Sequence, residues 1–132
     1  MRYYSVQSPN DAARLRAGGD PWPVGLRWAN LGPGLYAWAD PNDAERYRAH
    51  LQQRGAVDLV VVTYEISDDD LPRLGKQDLT QLSDEDLAVW LEQYSEYGDG
   101  EPHGYEYVVR STGMGTEHYF ASSVFQRLRE VP

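Results

Sequence analysis

The sequence predicts an α+β fold, and three observations lead to that prediction. Strand-like and helix-like segments are mixed along the chain without the regular alternation that a parallel α/β sheet requires. Hydrophobic residues make up 41% of the 132 residues, and the chain carries ten Tyr and four Trp, which is enough for a core. No internal repeat or low-complexity tract divides the chain. Its length fits one domain, so we expect residues 1–132 to fold together.

Local signals predict a strand, a helix and a loop at the start of the chain. Residues 2–7 are rich in Tyr and Val, as strands are. Ser8 followed by Pro9 is typical of a helix N-cap and first turn, and a Gly-Gly pair ends that helix. Residues 20–33 are rich in Pro and Gly and predict a loop, whose Trp side chains we expect to pack against the core.

The middle of the chain repeats this order of elements. Residues 34–39 predict a second short strand, and Asp40 followed by Pro41 predicts a helix that continues to about residue 54. Residues 58–67 give the clearest strand prediction of all. Their Leu-Val-Val-Val run is continuously apolar, which is typical of a strand covered on both faces.

The remaining part of the chain predicts one more helix and at least one more strand. Ser83 is the expected N-cap of a third helix, and Leu87 and Trp90 fall on its apolar face. Residues 105–109 predict a strand. The apolar pattern of residues 118–131 fits a strand and a helix equally, so both alternatives stay open there.

The net charge of −9 is concentrated in the middle of the sequence. Residues 65–106 hold 13 of the 21 acidic residues, against Arg73 and Lys76 as the basic ones. An acidic surface repels phosphate backbones, so we do not expect a nucleic-acid duplex as a partner. Two interpretations of the 65–101 region stay open, namely a solvated surface and a patch that binds a basic protein partner.

Several classes of chemistry have no support in the composition. The chain has no Cys, which excludes disulfides, a thiol nucleophile and a Cys-ligated metal. Its three His are not spaced as a local metal motif, so no metal is expected. No apolar run approaches the ~20 residues of a membrane span, and the first residues lack a signal-peptide pattern. We therefore expect a cytoplasmic protein without membrane association.

Three segments carry a resemblance to a known family. The first is Leu-Gly-Pro-Gly-Leu-Tyr-Ala-Trp-Ala-Asp at residues 31–40, followed by a helix with Ala44 and Tyr47. The second is Glu-Tyr-Val-Val at residues 106–109, and the third is the apolar strand at 59–66. Together they resemble the ADP-ribosyltransferase-like family, in its diphtheria-toxin and poly(ADP-ribose) polymerase branch. The resemblance implies a split β-sandwich with flanking helices.

The resemblance also implies a substrate and a catalytic residue. Members of this branch cleave the nicotinamide–ribose bond of NAD through an oxocarbenium-like state, which a glutamate stabilises. Matched by motif, Glu106 would be the catalytic acid, and Tyr36 would stack on the nicotinamide ring. Glu117, in the next predicted segment, is the alternative for the acid.

The remaining NAD-binding residues follow from the same match. The branch usually has Tyr-His-Gly in its first strand, whereas this chain has Tyr4 at the His position and Ser5 at the Gly position. A basic side chain is needed for the pyrophosphate, because guanidinium groups match phosphate oxygens. The full set of expected NAD-binding residues is Tyr36, Tyr4, Arg2, Ser5, Gly34 and Arg27.

Three functions are compatible with this sequence. The first is a mono-ADP-ribosyltransferase or NAD glycohydrolase, such as a small toxin or effector domain, with NAD as substrate and a protein as the expected acceptor. The second is a catalytically degenerate ADP-ribosyltransferase fold that binds a ligand without turnover. The third is an acidic immunity or inhibitor protein that uses the 65–101 region to cover a basic site.

Overall fold

The computed structural model describes residues 1–19, 31, 34–56, 58–94 and 102–132. Most of the loop predicted at 20–33, including Arg27, lies outside these residues, as does the end of the acidic region. Within the described part, strands and helices are mixed, so the α+β prediction is confirmed. No helix there is long and apolar enough to cross a membrane.

The described residues form seven strands, three α-helices and three short 3-10 helices. The strands are β1 (Arg2–Gln7), β2 (Gly34–Trp38), β3 (Val60–Glu65), β4 (Lys76–Asp78), β5 (Tyr107–Thr112), β6 (Gly115–Ala121) and β7 (Arg129–Glu130). The α-helices are α1 (Pro9–Arg16), α2 (Pro41–Gln53) and α3 (Asp84–Tyr94). The 3-10 helices are Leu71–Arg73, Leu79–Gln81 and Ser122–Arg127.

All three α-helices begin at the capping residues that the sequence predicts. Ser8 Oγ accepts from the Asp11 N–H at 3.1 Å, and Asp40 Oδ1 accepts from the Asn42 N–H at 2.8 Å. Ser83 Oγ accepts from the Asp86 N–H at 3.1 Å. Each bond satisfies a donor that the first helical turn leaves without a partner. The acidic first turn of α3 also suits the positive end of the helix dipole, so part of the acidic excess stabilises this helix.

The strands form one sheet in the order β4-β5-β6-β2-β1-β3-β7. β4 and β5 are parallel, and the other neighbours are antiparallel. β1 pairs with β3 along its whole length, and β2 pairs in the same way with β6. In contrast, β1 and β2 pair only at Tyr4 and Trp38. The sheet therefore consists of two halves, β4-β5-β6-β2 and β1-β3-β7, which meet at one narrow join.

The two faces of the sheet are covered by different elements. On one face, Tyr3, Leu35 and Phe120 pack with Ala12 of α1 and with Val124 from the last 3-10 helix. We call the opposite face the helical face, because α2 and α3 pack on it. There Trp90 of α3 packs with Val108 and Tyr119, and Tyr47 of α2 contacts the Trp38 ring at a centroid distance of 5.3 Å.

The prediction that β3 is buried on both faces was wrong. The apolar run in β3 predicts cover on both faces, but burial alternates along the strand: Val62 and Tyr64 are each 4% exposed, whereas Val61 and Thr63, on the helical face, are only half-buried. β3 lies next to the short β7, near the edge of the sheet, where the helical face has less cover. The 118–131 segment, which the sequence leaves open, continues β6 and then forms a 3-10 helix and β7.

A chain of buried polar groups lies on the face opposite the helical face. The Tyr3 and Tyr107 hydroxyl oxygens are 3.2 Å apart, and the Tyr107 hydroxyl lies 2.6 Å from His118 Nδ1. Burial, together with the Lys76 ammonium, lowers the pKa of His118 to about 4, against a smaller opposite effect of Asp78. His118 is therefore neutral at pH 7, and in the tautomer with its proton on Nε2 its Nδ1 accepts a hydrogen bond from the Tyr107 hydroxyl.

We expect His118 to make the fold sensitive to acid. Between about pH 6.5 and 4, the unfolded chain binds a proton at this histidine and the folded chain does not. The free energy of unfolding should therefore fall by about 3 kcal/mol as the pH drops through this window. Urea unfolding of wild type and His118→Gln at several pH values measures it. The variant keeps a hydrogen-bond acceptor but cannot titrate, so an equal pH dependence in both proteins would contradict this assignment.

Candidate active site

A cavity of about 460 Å³ lies where β1 and β2 diverge, under α2. Its aromatic wall consists of Tyr36 and Trp38 from β2 and Tyr47 from α2. The remaining lining residues come from β1, α1, the end of α2, the segment before β3, and β6: Val6, Gln7, Ser8, Asp11, Leu51, Arg54, Gly55, Ala56, Leu59 and Glu117. This volume lies in the range of small-molecule sites, about 300–1,000 Å³.

Tyr36 is held rigidly in the wall of this cavity. Its ring contacts the Tyr119 ring at a centroid distance of 5.2 Å, and its hydroxyl accepts from the Leu31 N–H at 3.0 Å. Burial raises the pKa of the Tyr36 hydroxyl, so it stays protonated. A ring fixed at both ends presents a preformed apolar surface to a planar ligand.

Gly34 allows β2 to approach β6 closely enough for this arrangement. A Cβ at Gly34 would lie 2.3 Å from the Phe120 carbonyl oxygen and 2.5 Å from the Tyr119 ring. Neither atom can move without disturbing the sheet, so only glycine fits. The glycine in the Gly-Leu-Tyr motif thus has a packing reason, and it is not one of the residues that line the large cavity.

Glu117 contributes a buried carboxylate to the same cavity. It is 8% exposed and lies in β6 directly opposite Trp38 of β2 on one side and Arg110 of β5 on the other. The Arg110 guanidinium donates to Glu117 Oε1 from Nε at 2.8 Å and lies 2.7 Å away through Nη2. Burial raises the pKa of this carboxyl group, and Arg110 opposes that rise. Within the described chain, no hydrogen bond is directed at Oε2.

Glu106 occupies a different part of the sheet. It precedes β5, which is two strands away from β2, so about 9–10 Å separates their backbones. Its Oε1 accepts from the Gly75 N–H at 3.0 Å, at the approach to β4. Of the two carboxylates that the sequence offers, the structure brings Glu117 next to Tyr36 and leaves Glu106 outside the cavity.

The first-strand residues divide between the two faces of the sheet. Tyr4 lies opposite Trp38 and so shares the helical face with Tyr36, but it does not line the cavity. The Ser5 hydroxyl donates to the Tyr36 carbonyl oxygen at 3.0 Å, which bridges the fork between the strands. Arg2 Nε lies 3.3 Å from Glu65 Oε2 and is therefore paired away from the cavity. Arg27, the other expected cation, lies outside the described residues.

Comparison with known proteins adds no family at this point. No family model, curated protein or solved structure gives a significant match to the chain. The function must therefore be argued from the site itself.

Most of the cavity residues were not selected as site residues by the sequence analysis, among them Trp38, Gln7 and Arg54. The Ser5 hydroxyl has one proton, which it donates to the Tyr36 carbonyl oxygen. Its oxygen therefore accepts a hydrogen bond from Gln7 Nε2, which lies 3.2 Å away. Gln7 Nε2 also donates to the Tyr64 hydroxyl at 3.1 Å, and this fixes the orientation of the amide. Gln7 Oε1 is buried and has no hydrogen-bond partner among the described residues.

The arrangement suits a ligand with a planar ring and a site of developing positive charge. The aromatic wall is apolar, whereas Glu117 contributes a carboxylate that is shielded from bulk solvent, being 8% exposed. Charges act more strongly on each other in such a region than in water. Within the described ranges, no group of three His, Asp or Glu side chains is arranged to hold a metal ion.

Proposed function

We propose that this protein cleaves the nicotinamide–ribose bond of NAD, as an NAD glycohydrolase or mono-ADP-ribosyltransferase, with Glu117 as the catalytic carboxylate. The observation that carries the proposal is that Tyr36 and the buried Glu117 line one cavity. The fork between β1 and β2 also supports the split-sheet architecture that the family resemblance implies.

The aromatic wall provides the binding surface for the nicotinamide ring. Tyr36, Trp38 and Tyr47 together surround an apolar space, and planar rings prefer offset or edge contacts with such side chains. Because Tyr119 and Leu31 fix the Tyr36 ring, the ligand does not have to order it on binding. A preformed wall reduces the entropy that binding costs.

Glu117 provides the electrostatic part of the reaction. As the bond between ribose and nicotinamide breaks, its electron pair goes to the ring nitrogen, nicotinamide leaves neutral, and the ribose gains oxocarbenium character. A carboxylate beside this centre stabilises the developing charge and can accept a hydrogen bond from a ribose hydroxyl. Water or an acceptor nucleophile then bonds to the ribose carbon and releases a proton.

Arg110 has a positioning role in this scheme. Both of its contacts involve Glu117 Oε1, which leaves Oε2 for the ligand. The guanidinium also opposes the rise in pKa that burial causes, and so favours the charged carboxylate that the reaction needs.

The test of this function is nicotinamide release from NAD by the purified protein, measured by chromatography. We expect release above the uncatalysed rate, together with a higher melting temperature in millimolar NAD. A ligand at a hundredfold excess over its Kd stabilises the folded state by about 2.7 kcal/mol. A melting shift without release would contradict the catalytic proposal and leave a binding protein. If neither occurs, NAD is not the ligand.

A further inference from the structure

Among the residues that the structure describes, the cavity wall contains one cation that no acidic side chain neutralises. Its two acids have their own partners, since Asp11 Oδ1 lies 3.2 Å from Arg14 Nη2 and Glu117 is paired with Arg110. Arg54 also lines the cavity, but its guanidinium makes no ion pair or hydrogen bond with any described residue. With the two acids offset by Arg14 and Arg110, which lie outside the lining, Arg54 is the one charge of the described wall that has no partner among the described residues.

Arg54 and Tyr47, the one residue of the aromatic wall that α2 supplies, lie at different heights along this helix. Tyr47, Leu51 and Arg54 all line the cavity and follow one side of α2 to its C-cap. Arg54 follows Tyr47 by seven positions, which correspond to about 10 Å along the helix axis. A ligand whose ring rests against Tyr47 would thus reach Arg54 with a group separated from the ring by about the size of a sugar.

The opposite side of the cavity also favours a negatively charged group on the ligand. Ser8 and Asp11 line it from the first turn of α1, where the helix dipole adds partial positive charge. Asp11 is the nearby acid, and its ion pair with Arg14 offsets its charge. The alternative role of Arg54, a solvated cation at the C-terminal end of α2, would give it no influence on ligand choice.

We propose that Arg54 binds a phosphate group of the cavity ligand and makes the site selective for phosphorylated nucleosides over unphosphorylated ones. A guanidinium presents a planar set of donors that matches two phosphate oxygens, and no described residue occupies the donors of Arg54. The identity of the ring, nicotinamide, rests on the proposed function. The phosphate contact rests on the unpaired guanidinium of Arg54 and its place in the cavity wall.

The experiment compares two ligands that differ by one phosphate, nicotinamide mononucleotide and nicotinamide riboside. Calorimetry would measure their binding to wild type, Arg54→Gln and Arg73→Gln. Arg73 is exposed, lies outside the cavity, and its loss changes the net charge equally. We expect Arg54→Gln to weaken binding of the mononucleotide by about 10- to 100-fold and to leave binding of the riboside unchanged. Arg73→Gln should affect the binding of neither ligand.

The outcomes separate this proposal from the proposed function. Equal weakening of both ligands, no weakening, or no preference of wild type for the mononucleotide would overturn the phosphate contact. If wild type cleaves NAD and Arg54→Gln does so with the same KM, the reaction stands and the contact fails. If wild type binds the mononucleotide through Arg54 but releases no nicotinamide from NAD, the contact stands and the reaction fails. A melting curve of each variant checks that it is folded.

Discussion

Replacing Glu117 by Gln is expected to lower nicotinamide release from NAD by about 10²–10³-fold and to leave NAD affinity nearly unchanged. The carboxylate charge contributes most when the ribose becomes positive, so its loss affects the transition state more than the bound substrate. Gln keeps the size of the side chain and can still accept a hydrogen bond from Arg110. Initial rates, with binding measured separately by calorimetry, give the two effects.

Glu106→Gln is the matched control for this experiment. Glu117 lies on β6 and Glu106 directly precedes the neighbouring β5, but the Glu106 carboxylate accepts a hydrogen bond from the Gly75 N–H outside the cavity. Its replacement should leave turnover within a few-fold of wild type. Activity that survives Glu117→Gln and is lost in Glu106→Gln would reverse the assignment and return the catalytic role to the residue that the sequence motif favours.

The second large effect is expected from Arg110→Met, which leaves Glu117 buried without its partner. Breaking a buried ion pair from one side typically costs about 3–5 kcal/mol of unfolding free energy. The double variant Arg110→Met/Glu117→Gln should recover much of this loss, since no buried charge then remains. Arg129→Met is the control, because Arg129 is 80% exposed and its pair with Glu65 should contribute at most about 1 kcal/mol.

The pH dependence of Arg110→Met provides an independent check. Without the guanidinium, the pKa of Glu117 should rise further, because only burial then acts on it. The folded variant would keep a proton on Glu117 that the unfolded chain releases. The free energy of unfolding of the variant should therefore decrease as the pH rises above about 4.5. In urea unfolding, the difference in the free energy of unfolding between wild type and the variant should therefore be smaller at pH 5 than at pH 7. A cost equal to that of Arg129→Met at both pH values would show that the pair is not structurally important.

Short-range signals in the sequence predicted the helices well. Ser8, Asp40 and Ser83 each cap a helix through a bond within three residues, so the pattern of residues alone identifies them. The strand β4 could not be predicted in this way. It has three polar residues and is a strand only because it pairs with β5, about thirty residues later in the chain.

The sequence could predict the aromatic residue Tyr36 of the candidate site, but it could not decide which glutamate accompanies it. Tyr36 follows from the Gly-Leu-Tyr pattern, which consists of three consecutive residues and can be read without knowing the fold. The choice between Glu106 and Glu117 depends on which strand lies beside β2, and this is set by the β5–β6 hairpin. Gly115, with a φ of +132°, begins β6 there, and the hairpin brings Glu117 opposite Trp38. No short motif encodes that register.

The single pair between β1 and β2 has a mechanical consequence. The two halves of the sheet are each held by continuous ladders, so the join at Tyr4 and Trp38 is the place where they can open with the fewest broken bonds. A ligand bound in the fork would contact both halves of the sheet at once and so stabilise the closed arrangement while it is bound. Amide hydrogen exchange around the join should then report occupancy directly, since opening would first require the occupant to leave.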